Sequence, residues 1–165
     1  MKKRVCCIIL FLLIIASSIF ALAGCDKPLG EKIGEVTIAI ECKTILENDN
    51  WDKVEQGLID NNIIPKDGII LKETVTAIYN GDTVFSVLKR VCKDKKIHLD
   101  SEADPIMKTY YIKGINHIYE LSVGESSGWL YSVNGEMPNI ASSLYKLTGS
   151  EKIIFAYTCE VGDLA

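Results

Sequence analysis

The feature that most restricts this chain is its start. Lys2, Lys3 and Arg4 precede an apolar run over residues 5–23, broken only by Ser17 and Ser18, and no acidic residue occurs before Asp26. The run closes on Leu22, Ala23, Gly24 and Cys25. A basic start keeps the N-terminus on the cytoplasmic side while the apolar stretch enters the bilayer. The competing reading is an uncleaved anchor, since a 19-residue run at ~1.5 Å per residue just spans the ~30 Å of bilayer hydrocarbon. Small residues in front of the cysteine favour cleavage, because a peptidase must reach that backbone closely.

The Leu-Ala-Gly-Cys ending resembles the lipobox of bacterial lipoproteins. That resemblance implies a signal peptide over residues 1–24, a diacylglyceryl group on Cys25 and a membrane as the first partner, on the extracytoplasmic face of a bacterial cell. Two acyl chains, at ~0.8 kcal/mol per buried methylene, hold a protein on a bilayer stably. Residues 25–34 read as the lipidated cysteine and a short tether, with the folded domain over residues 35–165. Nine tether residues reach at most ~30 Å when extended, so the domain stays near the lipid.

Cleavage before Cys25 leaves 141 residues, enough for one domain with a sizeable core. They carry 15 basic and 22 acidic side chains, a net charge of −7 against −4 for the whole chain. An acidic surface without clustered Lys and Arg argues against nucleic acid as a partner.

Residues 36–42 alternate with period two, a strand ending at Cys42. Residues 152–159 are apolar on both faces, a central strand ending at Cys159. Laid side by side in parallel, the far ends of these strands coincide and the two thiols meet as a disulfide; Cys42–Cys92 is the rival pairing. Between them, residues 82–97 form the main helix, with Asp82 as the N-cap. Val84, Val87, Leu88, Val91 and Cys92 recur at helical spacing on its buried face, which makes Cys92 a small buried hydrophobe.

A short helix is expected over 51–61, a turn at Pro65-Lys66-Asp67-Gly68, a strand over 69–79 and a loop over 100–105. Residues 110–115 and 117–121 read as strand segments bent at Gly114. Residues 129–133 form a strand that turns at Asn134-Gly135. The sum is an α+β arrangement: a β-grasp-like (ubiquitin-like) mixed sheet, its first and last strands parallel neighbours, crossed by one helix.

The string Gly128-Trp129-Leu130-Tyr131-Ser132-Val133-Asn134-Gly135 carries a second resemblance. With it go Pro138, Tyr145-Lys146-Leu147, Gly81-Asp82-Thr83-Val84-Phe85, Tyr119-Glu120-Leu121 and Tyr157-Thr158-Cys159. Together they are similar to bacterial surface proteins with a domain like the C-terminal domain of transcobalamin and intrinsic factor, a domain family of unknown function. The resemblance implies a β-grasp-like fold and, in the animal relatives, closure over cobalamin. Relatives often carry a second cysteine pair; Val123 and Ala141-Ser142-Ser143 stand in its place here, which leaves Cys42 and Cys159 as the remaining pair. An aromatic often follows the Asn-Gly turn in relatives, where this chain has Glu136 and Met137.

The candidate ligand residues are Trp129, Tyr131, Asn134, Gly135, Glu136, Met137, Pro138 and Asn139. Trp129 and Tyr131 share one strand face with Val133, so they serve either as core or as an aromatic contact surface. The loop after them supplies an exposed rim. No nucleophile–base pair accompanies Ser126 or Ser127, so no catalytic residue is expected and the chain is not read as an enzyme. His98 and His117 lack a partner at metal-ligand spacing, and Asp100, Glu102 and Asp104 lack a calcium loop's glycine and distal glutamate, so no metal is expected. No cofactor is required, and cobalamin is a ligand candidate by resemblance alone. A carrier must enclose most of so large a ligand; a single domain therefore needs a partner or binds weakly. The alternative is a cell-surface structural or protein-interaction domain without a small ligand.

Overall fold

Two alternating segments from opposite ends of the chain lie side by side. In the computed structural model, which describes residues 30–164, β1 (Lys32–Glu41) pairs in parallel with β7 (Lys152–Thr158), from Thr37 opposite Lys152 to Glu41 opposite Ala156. Antiparallel partners flank them: β2 (Ile69–Tyr79) on β1 and β6 (Gly128–Val133) on β7, in the order β2-β1-β7-β6. The expected parallel neighbours and α+β class are both present. Leu99–Asp104 (β3), Thr109–Ile115 (β4) and Ile118–Tyr119 (β5) make a second, three-stranded sheet. Cys25, expected to carry lipid, and the expected signal segment and most of the expected tether lie outside the described residues. β1 begins at Lys32, so residues 32–34, expected in the tether, belong to the sheet. No helix among the described residues is long and apolar enough to cross a membrane.

Helix α2 (Val84–Lys95) lays one face on the inner side of the large sheet, following the short α1 (Gln56–Asp60). Val84, Val87 and Leu88 are fully buried and meet Val36, Ile38 and Ile40 of β1, Ile153 and Phe155 of β7, and Ile112 and Ile115 of β4. A second core cluster, around Cys42, Ile45, Leu58, Ile118, Tyr157 and Cys159, fills the far end of the sheet.

Several boundaries depart from expectation for local reasons. Thr83, not Asp82, caps α2: its hydroxyl accepts from the Ser86 N–H at 3.2 Å, and the Ser86 hydroxyl accepts from the Thr83 N–H at 2.9 Å. Asp82 instead accepts from the Tyr79 N–H and takes both guanidinium nitrogens of Arg90, at 2.8 and 3.1 Å. Residues 51–61 split into a 3-10 turn (Asn48–Lys53) and α1. The acidic stretch read as a loop is β3, paired along β4. The chain reverses at Asn116 and His117, both with positive φ, and does not bend at Gly114. Gly114 is needed for another reason: a Cβ there would stand 2.8 Å from the Tyr119 ring.

The Cys42–Cys159 bridge is not formed. Cys42, Cys92 and Cys159 are free and buried. The two strand-end thiols share one cluster, as their faces require, but the ladder staggers them. Cys42 is one residue past Glu41, whereas Cys159 is three past its partner Ala156, an offset of roughly 6–7 Å at strand rise. The chain also turns into a 3-10 helix (Lys43–Leu46) straight after Cys42, and the Cys159 sulfur sits 3.7 Å from the Thr44 hydroxyl. The rival Cys42–Cys92 pairing is absent too; Cys92 packs in the other cluster, as a small buried hydrophobe.

Candidate ligand-binding site

An open groove of about 240 Å³ runs between β6, β4 and the segment after the Asn134-Gly135 turn. Its walls are Trp129, Leu130 and Tyr131 on one side and Tyr110, Tyr111 and Ile112 on the other; Met137, Pro138 and Ile140 form its rim and Phe155 contributes from β7. No Lys, Arg, Asp or Glu lines it. Such a surface discriminates by shape and apolar contact, and it lacks the cation that would hold a phosphate or carboxylate.

Trp129 and Tyr131 are each fixed by a side-chain hydrogen bond to backbone. The Trp129 indole N–H donates to the Ile118 carbonyl at 2.8 Å, and its ring meets Tyr157 edge-on at 5.2 Å. The Tyr131 hydroxyl donates to the Ile140 carbonyl at 2.7 Å, tying the rim segment to β6. Its ring packs against Phe155 and Tyr145, at 5.9 and 6.4 Å. Across the groove, Tyr110 stacks on Phe85 at 4.5 Å, and its backbone N–H donates to the Ser143 hydroxyl. Tyr111 donates to the Glu120 carboxylate, and that hydrogen bond, with burial, pushes its phenol up to about 12. A preorganised apolar groove loses little entropy on binding.

The main chain adds polar character at one edge. Asn134 N–H donates to the Lys152 carbonyl at 2.8 Å, which sets the phase of the β6–β7 ladder. By the period-two alternation of antiparallel pairs, the N–H and C=O groups of Trp129 and Tyr131 point away from β7, out of the open sheet edge.

The expected residues divide. Trp129 and Tyr131 are half-buried: they pack on the core, and their remaining surface lines the groove. Met137 and Pro138 line the groove. Asn134 does not; its side-chain oxygen accepts from the Lys152 N–H at 2.8 Å and pins the turn, with Asn134 and Gly135 both at positive φ. Gly135 borders a neighbouring cleft with Met137 and Ser132. Glu136 and Asn139 are exposed and line no groove wall. The opposite wall, Tyr110 to Ile112, was missed. Its only signal was the adjacent tyrosine pair, read as an ordinary strand because nothing local says which strand faces β6.

Residues 81–159 match the family model described as ‘Domain of unknown function (DUF4430)’. That segment holds α2, the whole second sheet, β6 and β7, and with them every wall of the groove. Haptocorrin in complex with Cbi shares the fold at a TM-score of 0.50 and 13% identity, over 78% of this chain and 26% of the haptocorrin chain. The chain thus spans about a quarter of that protein. At this identity the likeness concerns fold alone, and it agrees with the fold expected from the sequence. A proposed metal binding protein from Ruminococcus gnavus ATCC 29149 aligns over 76% of this chain and 96% of its own, at 11% identity and a TM-score of 0.42. No curated protein matches the chain.

Proposed function

We propose that this chain is a lipid-anchored extracytoplasmic binding module that receives an apolar or flat ligand in the Trp129–Tyr131 groove, with cobalamin or another corrinoid as the first candidate. The observation that carries the reading is the uncharged, aromatic-walled groove, fixed by hydrogen bonds before any ligand arrives. The fold shared with haptocorrin in complex with Cbi supports the candidate. The outward main-chain groups of Trp129 and Tyr131 suit a ligand with amide groups at its edge. Binding is the whole task in this reading, with no catalytic step. A volume of about 240 Å³ is below the ~300–1,000 Å³ of pockets that enclose a small molecule, so the groove grips one face or edge and another surface covers the rest. Anchorage comes from a diacylglyceryl group on Cys25.

The test is a titration of purified protein with cobalamin and with cobinamide, followed by tryptophan emission in a Trp51→Phe background. Trp51 is 41% exposed and would otherwise contribute its own signal. Saturable quenching that Tyr131→Ala weakens supports the proposal; flat titrations with both corrinoids overturn the corrinoid reading.

One observation favours a second reading, a surface protein-interaction domain. Ile106 and Met107 stand 90% and 69% exposed at the tip of the β3–β4 hairpin. The Asp104 carboxylate holds that tip, accepting from the N–H groups of Ile106 and Met107 at 2.8 and 2.9 Å. Exposed apolar side chains on a rigid turn mark contact surfaces. Loss of a captured surface protein on Ile106→Ser/Met107→Ser substitution, with corrinoid titrations flat, would favour this reading over the first.

A further inference from the structure

We propose that the Ile106–Met107 tip of the β3–β4 hairpin dips into the bilayer that carries the anchor, and so fixes which end of the domain faces the membrane. The inference rests on the lipid anchor proposed above and not on the ligand of the groove. In the string Asp104-Pro105-Ile106-Met107-Lys108 two large apolar side chains sit at a turn, where polar residues are ordinary. Both are exposed, and neither joins a core cluster.

A run of short contacts puts this tip at the end of the domain where the tether enters. Gly30, the first described residue, lies against Asn80, and the Asn80 N–H donates to the Glu31 carbonyl at 2.9 Å. Asn80 leads into the first turn of α2, where the Val84 and Phe85 N–H groups donate to the Tyr145 and Ser142 carbonyls at 3.1 and 3.0 Å. The adjoining Ser143 hydroxyl accepts from the Tyr110 N–H at 3.0 Å, and the Tyr110 ring stacks on Phe85. β4 therefore begins level with the first turn of α2, and residues 105–108 turn beyond it. Trp51 marks the opposite end: its neighbour Lys53 pairs with Glu160, past the end of β7, at 2.8 Å.

From Cys25 to Gly30 the chain reaches at most ~18 Å when extended, so a lipidated Cys25 keeps this end at the bilayer surface. Ile33, Ile140 and Leu144 add exposed apolar side chains at the same end. Lys108 and Lys146 are exposed there too, with stems that can lie along lipid while their ammonium groups meet the headgroups. Exposed Glu31 and Glu136 offset that charge, so apolar contact carries the interaction. The Asp104 carboxylate already accepts from the Ile106 and Met107 N–H groups, which spares both donors the cost of losing water without a partner. Two side chains alone would hold a domain weakly; the anchor raises the effective concentration of lipid at the tip, so that even weak insertion is populated.

The test uses the full chain, made in bacteria so that the anchor is attached, and reconstituted in phosphatidylcholine vesicles with and without bromine on the acyl chains. Ile106→Trp, at an exposed site, reports depth; Trp51 at the far end and the half-buried Trp129 supply the baseline in the native chain. The introduced indole should enter roughly 5–10 Å, shift its emission to the blue and lose on the order of half of it to bromine, with the native chain unquenched. Intact mass reports the anchor separately. A chain without the lipid increment on Cys25 overturns the anchor and this proposal with it. A lipidated chain whose introduced indole stays unquenched overturns the tip contact alone and leaves the tip to a protein partner. Equal quenching of the native chain would put Trp51 at the bilayer and overturn the orientation.

Discussion

Asp82→Asn tests how the start of α2 is held. The Asp82 side chain is 11% exposed and that of Arg90 29%. Burial pushes the carboxyl up, but hydrogen bonds from Arg90, the Tyr79 N–H and Ser86 outweigh it and hold the group below the usual carboxylate range. Arg90 also donates to the Ala77 carbonyl at 2.8 Å, so the pair staples α2 to β2. Asparagine keeps one acceptor but turns an N–H₂ toward the guanidinium. Hydrogen bonds to charged groups contribute about 1.5–3 kcal/mol, and partial exposure of Arg90 lowers the net loss to about 2 kcal/mol. For a domain of this size that is roughly 5–8 °C in Tm. The sign with pH follows from the lowered pKa: the native chain favours ionised Asp82, so the contribution is complete above the unfolded value near ~4 and is lost as pH falls through the folded one. Thermal scans of both proteins should show the full gap at pH 7 and a closing gap below pH ~4. Equal Tm values at pH 7, or a gap unchanged in acid, would refute the reasoning.

Leu88→Ala empties a fully buried site between α2 and the sheet and should cost about 3 kcal/mol in denaturant unfolding; a loss under about 1 kcal/mol would mean the core collapses freely there. Gly68→Ala should destabilise by about 2 kcal/mol or more, since Gly68 has φ +66 and a Cβ would stand 2.7 Å from the Lys43 backbone; an unchanged midpoint would contradict that contact. Burial pushes the Cys42 and Cys92 thiols up to about 12 and raises that of Cys159, so all three should resist thiol reagents at pH 8 until guanidinium unfolds the chain. Two thiols missing from the unfolded count would instead reveal a bridge.

What the sequence disclosed was set by period. β1, β7 and the buried face of α2 announce themselves because each repeats one period over its length, two residues in the strands and 3.6 in the helix, and pairing the two end strands follows from their shared apolar face. β3 escaped because Asp100, Glu102 and Asp104 are poor strand formers; pairing with β4 overrides that preference. The cap shifted by one residue because Asp82 had a stronger partner in Arg90, eight positions on. The disulfide failed on register, which the face of a strand does not specify. Half the groove was legible for the same reason: Trp129 and Tyr131 alternate on one strand, while the β4 wall is brought to them only by tertiary packing.

The most direct measurement is an amide and indole NMR map of the protein during titration with cobinamide. Trp129, Tyr131, Met137 and Tyr110 should shift together with one saturation curve, leaving Val75 and α1 untouched. Shifts confined to surfaces away from these four residues, or a spectrum that does not change, would contradict the assignment of the groove as the place where this module holds its ligand.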